Sequence, residues 1–372
     1  MNIKFFVRQL IKMTVQSVVL PVVYNVSKKK NIDEKLVIFA DAHHTQVPYS
    51  MSCMRQAFED SDYKVVDMYN NYQTESYVSV VKSFMRFMKL YANAKYVFIC
   101  DNFLPVSSCN KRKETTVVQL WHAGGLLKKY AYDTLDDIPK YYKGNVYKNY
   151  TLTVCSAPIC IPVYERAMKQ ERGTVKATGL SRSDLYFDEN YIESCKEEFY
   201  KEYPEAKGKK VLLWAPTFRG KALEPYVLGI EDVDKMKEQL GEEWYVISKM
   251  HPHVEDKQKK SSCVIPTERL LPVVDMLMAD YSSVIFDYVL LHKPMVLFVP
   301  DYDEYIQTRG LYIDLKDIPA TLVTEGHKLQ EAVLEECNNF DIDKVREFSN
   351  VYMGACDGNA TRRILDEIGA EI

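Results

Sequence analysis

Five short motifs carry the side chains of this 372-residue chain that are best suited to chemistry. The first, QLWHAGGLLKK, places His122 just before two glycines and two lysines. A neutral imidazole at such a turn can accept a proton from an attacking hydroxyl group. Gly124 and Gly125 leave room for a phosphate or another backbone, and Lys128 adds a cation. The motif therefore predicts a general base beside a site that binds part of a substrate.

The second and third motifs supply cations and hydroxyl groups. In WAPTFRG, Thr217 and Arg219 are of the types that bind phosphate oxygens, and in KMHPH, Lys249 and His251 add a cation and an imidazole. The His-x-His pair raises the possibility of a metal site. Pro252 and the lack of a nearby acidic or cysteine partner argue against it, so no metal is predicted.

The fourth and fifth motifs add an anion site and a further arginine. In ADYSSVIFD, Ser282 and Ser283 lead into an expected helix that also contains Asp287. The free N–H groups at a helix start attract anions, although capping alone would also explain the serines. The fifth motif, DYDEYIQTRG, contributes Arg309. Both motifs favour a site for the phosphates of a donor.

Each motif follows or lies close to a short apolar segment that is typical of a buried strand. A helix is predicted between such segments at 77–90, where apolar residues recur every three or four positions. Two series of strands are expected, at 36–41, 64–69, 96–101, 116–121 and 151–156, and at 211–216, 245–250, 263–266, 275–280 and 295–300. Apolar strands alternating with helices predict parallel sheets covered on both faces. The pattern indicates two doubly wound α/β domains with a boundary near 205 and a cleft between them.

The net charge and the cysteine content of the chain indicate which partners and which compartment are expected. A net charge of −4 argues against a nucleic-acid partner, which would require a broad basic face. Nine scattered cysteines, without paired ligand spacing, are typical of reduced thiols in a reducing compartment.

The first thirty residues differ from the rest because they carry no acidic side chain. Lys4, Arg8 and Lys12 recur every four residues among apolar ones, and three lysines follow at 28–30. This pattern favours an amphipathic helix on an anionic membrane surface. An ordinary docking helix and a signal or spanning segment remain alternatives.

The ordered motifs resemble a known family. WHxxG…K, APTFR, KxHP, DYSSVxF(D/E), DxxxYxxxRG and a closing DGNAxxxI are similar to the CDP-glycerol glycerophosphotransferases of teichoic acid synthesis, over about residues 95–367. Within that family, the segment from Asp101 to Lys129 is most similar to the primase branch. The resemblance implies transfer of glycerol phosphate from CDP-glycerol to an undecaprenyl-diphosphate-linked disaccharide, releasing CMP.

The resemblance also implies a fold and roles. It implies a GT-B fold, with two Rossmann-like domains facing each other across a cleft, no cofactor or metal, and a peripheral location on the cytoplasmic face of the membrane. The expected domains are a membrane segment (1–30), an acceptor domain (31–205) and a donor domain (206–372) whose final helices cross back. The implied catalytic residues are His122 and His251, and the implied acceptor ligands are Gly124, Gly125 and Lys128. The implied donor ligands are Thr217, Arg219, Lys249, Ser282, Ser283, Asp287 and Arg309.

Some features depart from the family pattern. The chain reads WHAGGLLKKYA where the polymerase branch more often reads WHGTPLKKLG, which weakens a prediction of processive polymerisation. His43 and His44 have no counterpart in the pattern and are interpreted as loop residues, with contact to the acceptor as the alternative. The alternatives are transfer from another CDP-polyol such as CDP-ribitol, transfer to a capsule polymer, a GT-B nucleotide-sugar glycosyltransferase, and a non-enzymatic scaffold.

Overall fold

A computed structural model of the chain describes residues 12–72, 74–134, 137–138, 144–221, 224–250 and 263–372. The chain divides into two compact units, which are described separately. Unit 1 comprises residues 1–122, 131–184 and 359–372, and unit 2 comprises 123–130 and 185–358.

Unit 1 is built on a six-stranded parallel sheet in the order β2-β1-β3-β4-β5-β6. The near-continuous apolar strands are buried, as both faces of a parallel sheet are covered. Phe39, Phe58 and Phe98 form an aromatic cluster beside the central strands, and the rings of Phe39 and Phe98 stack at 4.7 Å. The strands are β1 (Asp33–Asp41), β2 (Lys64–Tyr69), β3 (Ala94–Ile99), β4 (Thr116–Gln119), β5 (Leu152–Val154) and β6 (Val175–Lys176).

Helices of unit 1 include one that comes from the far end of the chain. Asp184 accepts hydrogen bonds from the Ala360 and Thr361 amides, at 2.9 and 2.8 Å. These bonds satisfy two of the N–H groups that have no partner within the helix at the start of the final helix. The Tyr96 hydroxyl donates to the carbonyl oxygens of Ile368, the last residue of that helix, and of Gly369. The helices are α1 (Leu20–Val26), α2 (Ser52–Ala57), α3 (Tyr77–Tyr91), α4 (Leu104–Ser107), α5 (Ile161–Ala167) and, last in the chain, α13 (Ala360–Ile368).

Unit 2 has a five-stranded parallel sheet in the order β10-β7-β11-β12-β13 and a separate antiparallel hairpin, β8-β9. In each sheet the strand that comes second in the chain (β2 or β10) pairs with one side of the first strand (β1 or β7), and the third strand (β3 or β11) pairs with its other side. The strand order therefore reverses between β1 and β3 and between β7 and β11. Ligands of open α/β sheets bind at such reversal points. The strands are β7 (Lys210–Ala215), β8 (Arg219–Lys221), β9 (Glu224–Tyr226), β10 (Trp244–Ser248), β11 (Met276–Ala279), β12 (Met295–Phe298) and β13 (Thr321–Val323).

Helices of unit 2 cover its sheet and begin at acidic caps in two cases. Asp188 and Asp341 each accept backbone amides of the first turn that follows. The helices are α6 (Glu189–Glu202), α7 (Ile230–Leu240), α8 (Thr267–Leu270), α9 (Val284–Val289), α10 (Tyr302–Thr308), α11 (Leu329–Asn339) and α12 (Ile342–Met353).

Most of the predicted elements are present in the structure, with two kinds of difference. The helix expected at 77–90 is α3, and nine of the ten expected strands form. Residues 263–266 do not form a strand, so that prediction is wrong; this short segment instead leads into α8. The short strands β6, β8, β9 and β13 were not predicted, because two or three residues give no periodic signal.

The division of the chain also differs from the expected one. The long segment of unit 2 begins at Leu185, before the predicted boundary at 205, because α6 belongs to unit 2. Of the final helices, α13 groups with unit 1, whereas α12 stays in unit 2.

The N-terminal helix packs through one face and exposes the other. A π-helical turn (Val15–Val19) leads into α1, and Leu20, Val23 and Tyr24 are buried against unit 1. Lys4 and Arg8 lie outside the described residues. No helix in the described part of the chain has the length and apolar character needed to cross a membrane.

Candidate active site

His122 follows β4 at the carboxyl edge of the unit 1 sheet. Trp121, the residue before it, has a left-handed backbone (φ 53°), which is uncommon outside glycine and asparagine. The His122 ring lies against the Trp121 ring, with centroids 4.5 Å apart. Its Nδ1 lies 3.3 Å from the Cys100 carbonyl oxygen and 3.7 Å from Oδ2 of Asp101. With a proton on Nδ1, the half-exposed ring has Nε2 available as a base.

Two further histidines lie beside His122. The loop after β1 brings His43 and His44 to a cavity of about 290 Å³ that His122 and Asp101 also line. Nε2 of His43 lies 3.7 Å from Oδ2 of Asp101, the same oxygen that faces His122. Nδ1 of His44 lies 2.8 Å from Asp41. The cavity sits where the strand order of unit 1 reverses, between the ends of β1 and β3.

Arg219 is the centre of a buried polar cluster in unit 2. Its Nε and Nη2 donate to the two oxygens of Asp301, at 2.6 and 3.0 Å, and Nη2 also lies 3.1 Å from Asp280. Nη1 donates to the carbonyl and hydroxyl oxygens of Thr217. All five guanidinium N–H groups are therefore used, and the side chain is only 10% exposed.

The carboxylates of this cluster depend on Arg219. Burial raises the pKa of Asp280, and the Arg219 charge and hydrogen bonds from Thr217 oppose that rise. Burial also acts on Asp301, but the hydrogen bond from Arg219 outweighs it and holds the pKa of Asp301 below its usual value. Tyr281 stacks face to face on Tyr305 at 3.6 Å, and both rings lie 5.1 Å from the guanidinium carbon. The cluster joins the ends of β7, β11 and β12.

The residues immediately after His122 pack within unit 2. Lys128 forms a β-bridge with Leu311, and the amide of Lys129 donates to the carbonyl of Gly310. Gly125 has φ +57°, and a Cβ there would lie 2.0 Å from the Phe286 ring. Gly124 is also buried, next to Met353. The two glycines allow close packing here, and their role as acceptor ligands stays a prediction.

Direct phosphate binding by Arg219 and Thr217 stays a prediction, and the contacts that both side chains make lie within unit 2. In the present arrangement every Arg219 donor is committed to unit 2, and the Thr217 hydroxyl is engaged by Asp280 and Arg219. Their contacts indicate that they brace the strand ends. Lys128 belongs to unit 2 and stands near this cluster, where its charge opposes the rise that burial causes in the pKa of Asp280.

The remaining predicted residues fall in different surroundings. Ser282 accepts a hydrogen bond from the Val284 amide, whereas Ser283, at the start of α9, makes no side-chain cap. Lys249 donates to the Cys263 carbonyl oxygen. Asp287 is buried in α9, and Arg309 ends α10. His251 lies outside the described residues, so its role stays a prediction.

Metal ligands are not gathered in the described residues, where no group of three or more histidine, cysteine or acidic side chains could hold an ion. The second histidine of the His-x-His pair, like the first, falls outside them. The expectation of a metal-independent site stays a prediction.

The family model that matches this sequence is described as CDP-Glycerol:Poly(glycerophosphate) glycerophosphotransferase, and it covers residues 22–370. The chain belongs to this family. It is 35% identical over 294 residues to the teichoic acid poly(ribitol-phosphate) polymerase of Bacillus spizizenii strain W23, covering 75% of this chain and 47% of that protein. The chain thus spans about half the length of that relative.

Shorter members of the glycerophosphotransferase family match over most of their length. The ribitol-phosphate primase of the same strain is 30% identical, covering 76% of this chain and 77% of the primase. The glycerol-phosphate primase of Bacillus subtilis strain 168 is 28% identical, covering 74% of each chain. The resemblance to the family, with primases among its relatives, is confirmed.

Solved structures confirm the fold class. The wall teichoic acid polymerase TagF matches with a TM-score of 0.77 and 20% identity, over 99% of this chain and 98% of that one. The UDP-GlcNAc 2-epimerase of Neisseria meningitidis matches with a TM-score of 0.55 and 10% identity, over 90% and 99%. This chain therefore has an α/β fold with parallel sheets, which it shares with GT-B-like enzymes.

Sequence reasoning assigned no role to Asp41, Asp101, Asp280 or Asp301. Each stands at or just after the end of a strand, which is the signal that would have found them.

Proposed function

We propose that this protein is a CDP-polyol phosphotransferase that moves glycerol phosphate from CDP-glycerol to a lipid-linked acceptor, an undecaprenyl-diphosphate disaccharide, and releases CMP. The observation that carries the proposal is His122: a half-exposed imidazole with Nδ1 facing the Cys100 carbonyl and Asp101, at the edge of a cavity, in a chain of this family. A TagF variant solved after a CDPG soak supports a CDP-linked donor.

The chemistry is a substitution at phosphorus. The oxygen of an acceptor hydroxyl forms a bond to the β-phosphorus of the donor, and the bond from that phosphorus to the oxygen bridging the two phosphates breaks. CMP leaves with the electron pair, and the hydroxyl proton passes to Nε2 of His122. Positioning and neutralisation of the diphosphate charge supply the remaining rate enhancement.

The donor is assigned to unit 2. Lys128, Arg309 and the serines before α9 supply the charge and hydroxyl groups for its diphosphate, with Arg219 holding the strand ends behind them. His251 contributes a second imidazole in this proposal. Lysines and arginines bind phosphate strongly because the hydrogen bonds are charge-assisted.

CDP-ribitol is the second candidate donor. Sequence identity favours this donor. The ribitol-phosphate polymerase and the ribitol-phosphate primase are 35% and 30% identical to this chain, whereas the glycerol-phosphate primase of Bacillus subtilis is 28% identical. Purified protein is incubated with CDP-glycerol, CDP-ribitol or UDP-sugars plus a short-chain lipid diphosphate disaccharide. Release of CMP with one CDP-polyol assigns the donor, whereas release of UDP alone overturns the proposal in favour of a glycosyltransferase.

The role of His122 is tested by substitution. His122→Ala should reduce turnover by at least about 10²-fold, because a general base acts in the transition state, while donor affinity stays nearly unchanged. His327→Ala, at an exposed histidine in unit 2, is the matched control and should keep full turnover. Full activity of a folded His122→Ala protein contradicts the assignment.

We also propose that the protein sits at the cytoplasmic face of an anionic membrane through the outer face of its N-terminal helix. Val18, Val22 and Val26 are exposed, four residues apart, and the exposed lysines 28–30 follow. Because Leu20 and Tyr24 are buried, deleting the helix would uncover the core, so surface substitutions are the sharper test.

Vesicle sedimentation with phosphatidylglycerol measures this attachment. The double variant Val22→Asp and Val26→Asp should lose most of its vesicle binding, whereas Val351→Asp, at an exposed valine of unit 2, should bind like wild type. Equal binding of all three proteins at moderate salt places the attachment elsewhere.

A further inference from the structure

Gln119, the last residue of β4, is a polar side chain with no exposed surface. The two residues before it, Val117 and Val118, are apolar and equally buried, which is the usual composition of a covered strand. A buried primary amide costs free energy unless its groups are hydrogen-bonded. The bonds that this amide makes therefore explain why a polar residue ends the strand.

The Gln119 amide joins two loops beside the cavity of unit 1. Its Nε2 donates to the carbonyl oxygen of Asp101, just after β3, and its Oε1 accepts the backbone amide of Trp121, just after β4, both at 3.0 Å. A carbonyl only accepts and an N–H only donates, so these partners also fix which way round the amide lies. The backbone amide of Leu120 donates to the carbonyl oxygen of Ile99 at 2.7 Å, so the pairing of the two strands continues to the same point.

The bond to Trp121 supports an uncommon backbone conformation. Trp121 has φ 53°, and a bulky residue keeps a left-handed backbone only where its surroundings hold it there. This turn places the His122 ring 4.5 Å from the Trp121 ring and brings Nδ1 to 3.3 Å from the Cys100 carbonyl oxygen. Cys100 precedes Asp101, whose carbonyl is held by the same amide. One buried side chain thus sets both the ring and the carbonyl that the ring faces.

We infer that Gln119 is a positioning residue for the proposed reaction: by tying the loop after β3 to the turn before His122, it keeps Nδ1 of His122 on the Cys100 carbonyl and leaves Nε2 to take the acceptor's proton. The inference rests on the proposed function, because it concerns the base of that reaction. Gln119 itself is fully buried and is not among the residues that line the cavity. It should therefore act on turnover only through His122.

Kinetics of Gln119→Met test this role, because methionine has nearly the same length and forms neither bond. The misplaced base should lower kcat about 10- to 100-fold, while the KM values for the CDP-polyol and the short-chain acceptor change less than about 2-fold. Thr115→Val is the matched control. The Thr115 hydroxyl, also fully buried, donates to the Ala94 carbonyl oxygen at 2.8 Å and joins the same two strands at their other end, so its removal should leave kcat at the wild-type value.

Two further variants sharpen the kinetic test. Gln119→Asn keeps an amide but is one methylene too short to reach both partners, so it should show the same selective loss of kcat even where the methionine variant fails to fold. Tyr150→Phe removes a buried hydroxyl beside the Gln119 amide and should keep the wild-type kcat. Thermal unfolding checks that each variant is folded. An unchanged kcat in a folded Gln119 variant, or an equal fall in Thr115→Val, overturns the inference.

A double-mutant cycle separates an effect through His122 from an independent one. In the His122→Ala background, adding Gln119→Met should change the residual turnover less than about 2-fold, because the group that Gln119 positions is already absent. A second loss as large as that seen in the wild-type background shows an independent action and overturns the inference.

Histidine side-chain NMR reads the ring orientation without turnover. At a pH where the ring is neutral, the nitrogen signals of His122, assigned by their loss in His122→Ala, should show the proton on Nδ1 in the wild type. Gln119→Met should show a mixture of both tautomers, since the Cys100 carbonyl is no longer held within reach. The signals of the exposed His327 are the internal control and should not move. An unchanged His122 tautomer in Gln119→Met overturns the inference.

The kinetic and NMR measurements also separate this inference from the proposed function. Absence of CMP release with either CDP-polyol overturns the function, while the His122 tautomer still reports whether Gln119 holds the ring. Normal CMP release together with an unchanged kcat and tautomer in folded Gln119→Met overturns the positioning role alone.

Discussion

The two sheets share the same strand order over five strands, but the polar residues at their reversal points are arranged in opposite ways. In unit 1, Asp101 and three histidines line an open cavity, and the imidazoles are about half exposed. In unit 2, Arg219 is enclosed by Asp280 and Asp301, with every donor used. The same topology thus places solvent-accessible imidazoles at the reversal point of unit 1 and a buried structural cluster at that of unit 2. The difference shows that position at a sheet edge suggests function, whereas exposure and hydrogen-bond saturation decide it.

The largest expected effect comes from opening the unit 2 cluster. Arg219→Ala leaves Asp280 and Asp301 without their cation, and removing one partner of a buried ion pair costs about 3–5 kcal/mol. Urea unfolding measures this change. Arg362→Ala, whose ion pair with Asp366 is exposed, is the control and should change little. Normal stability with weakened donor binding in Arg219→Ala would instead support its predicted role as a phosphate ligand.

A smaller loss is expected when the loop after His122 is forced away from unit 2. Gly125→Ala introduces a Cβ within 2.0 Å of the Phe286 ring at a positive φ, and overpacking costs about 1–3 kcal/mol in addition to about 1 kcal/mol of backbone strain. Gly208→Ala, at φ +78° in open space, isolates the strain. Similar unfolding free energies for the two variants would show that the contact with Phe286 is unimportant.

Lowering the pH should reduce the folding stability of unit 1, because Asp41 becomes protonated. Burial raises the pKa of Asp41, but hydrogen bonds from His44 and the amides of residues 43 and 44 outweigh it and hold the pKa below its usual value. Ionised Asp41 therefore stabilises the fold above about pH 4, the unfolded pKa, and this stability is lost as pH falls through the lower folded pKa. Asp41→Asn should cost about 1–3 kcal/mol at neutral pH and flatten the acid dependence. Unfolding curves from pH 3 to 7 provide the measurement, and identical acid slopes for both proteins contradict it.

The smallest stability effect is expected at Asp101. Its side chain is 36% exposed and its Oδ2 makes no direct hydrogen bond to either imidazole, so Asp101→Asn should change the unfolding free energy by less than about 0.5 kcal/mol. Turnover should nevertheless fall, because the charge that orients His122 is lost. A large loss of stability would place Asp101 with the structural carboxylates of unit 2 and remove the contrast between the units.

The sequence predicted the sheets well because their strands are long apolar segments with clear ends. It placed His122 and Arg219 correctly at strand ends, but residue type alone does not reveal that Arg219 is saturated by Asp301, which is 82 positions away. Gly125 was interpreted as open space, although its neighbour Phe286 fills that space. His43 and His44 were interpreted as loop residues because their approach to Asp101 and His122 depends on the adjacency of β1 and β3. Such long-range contacts have no signature in a local pattern.

The capping of α13 by Asp184 has a consequence for synthesis on the ribosome. Unit 1 begins at the start of the chain, yet the partners of Asp184 and of the Tyr96 hydroxyl come from residues 360–369. Unit 1, most of which is translated before the long segment of unit 2, therefore waits for α13 before its own structure is complete. Unit 2, whose parts end at Gly358, has all its residues earlier. Synthesis thus begins with unit 1 before unit 2 but completes unit 2 before unit 1.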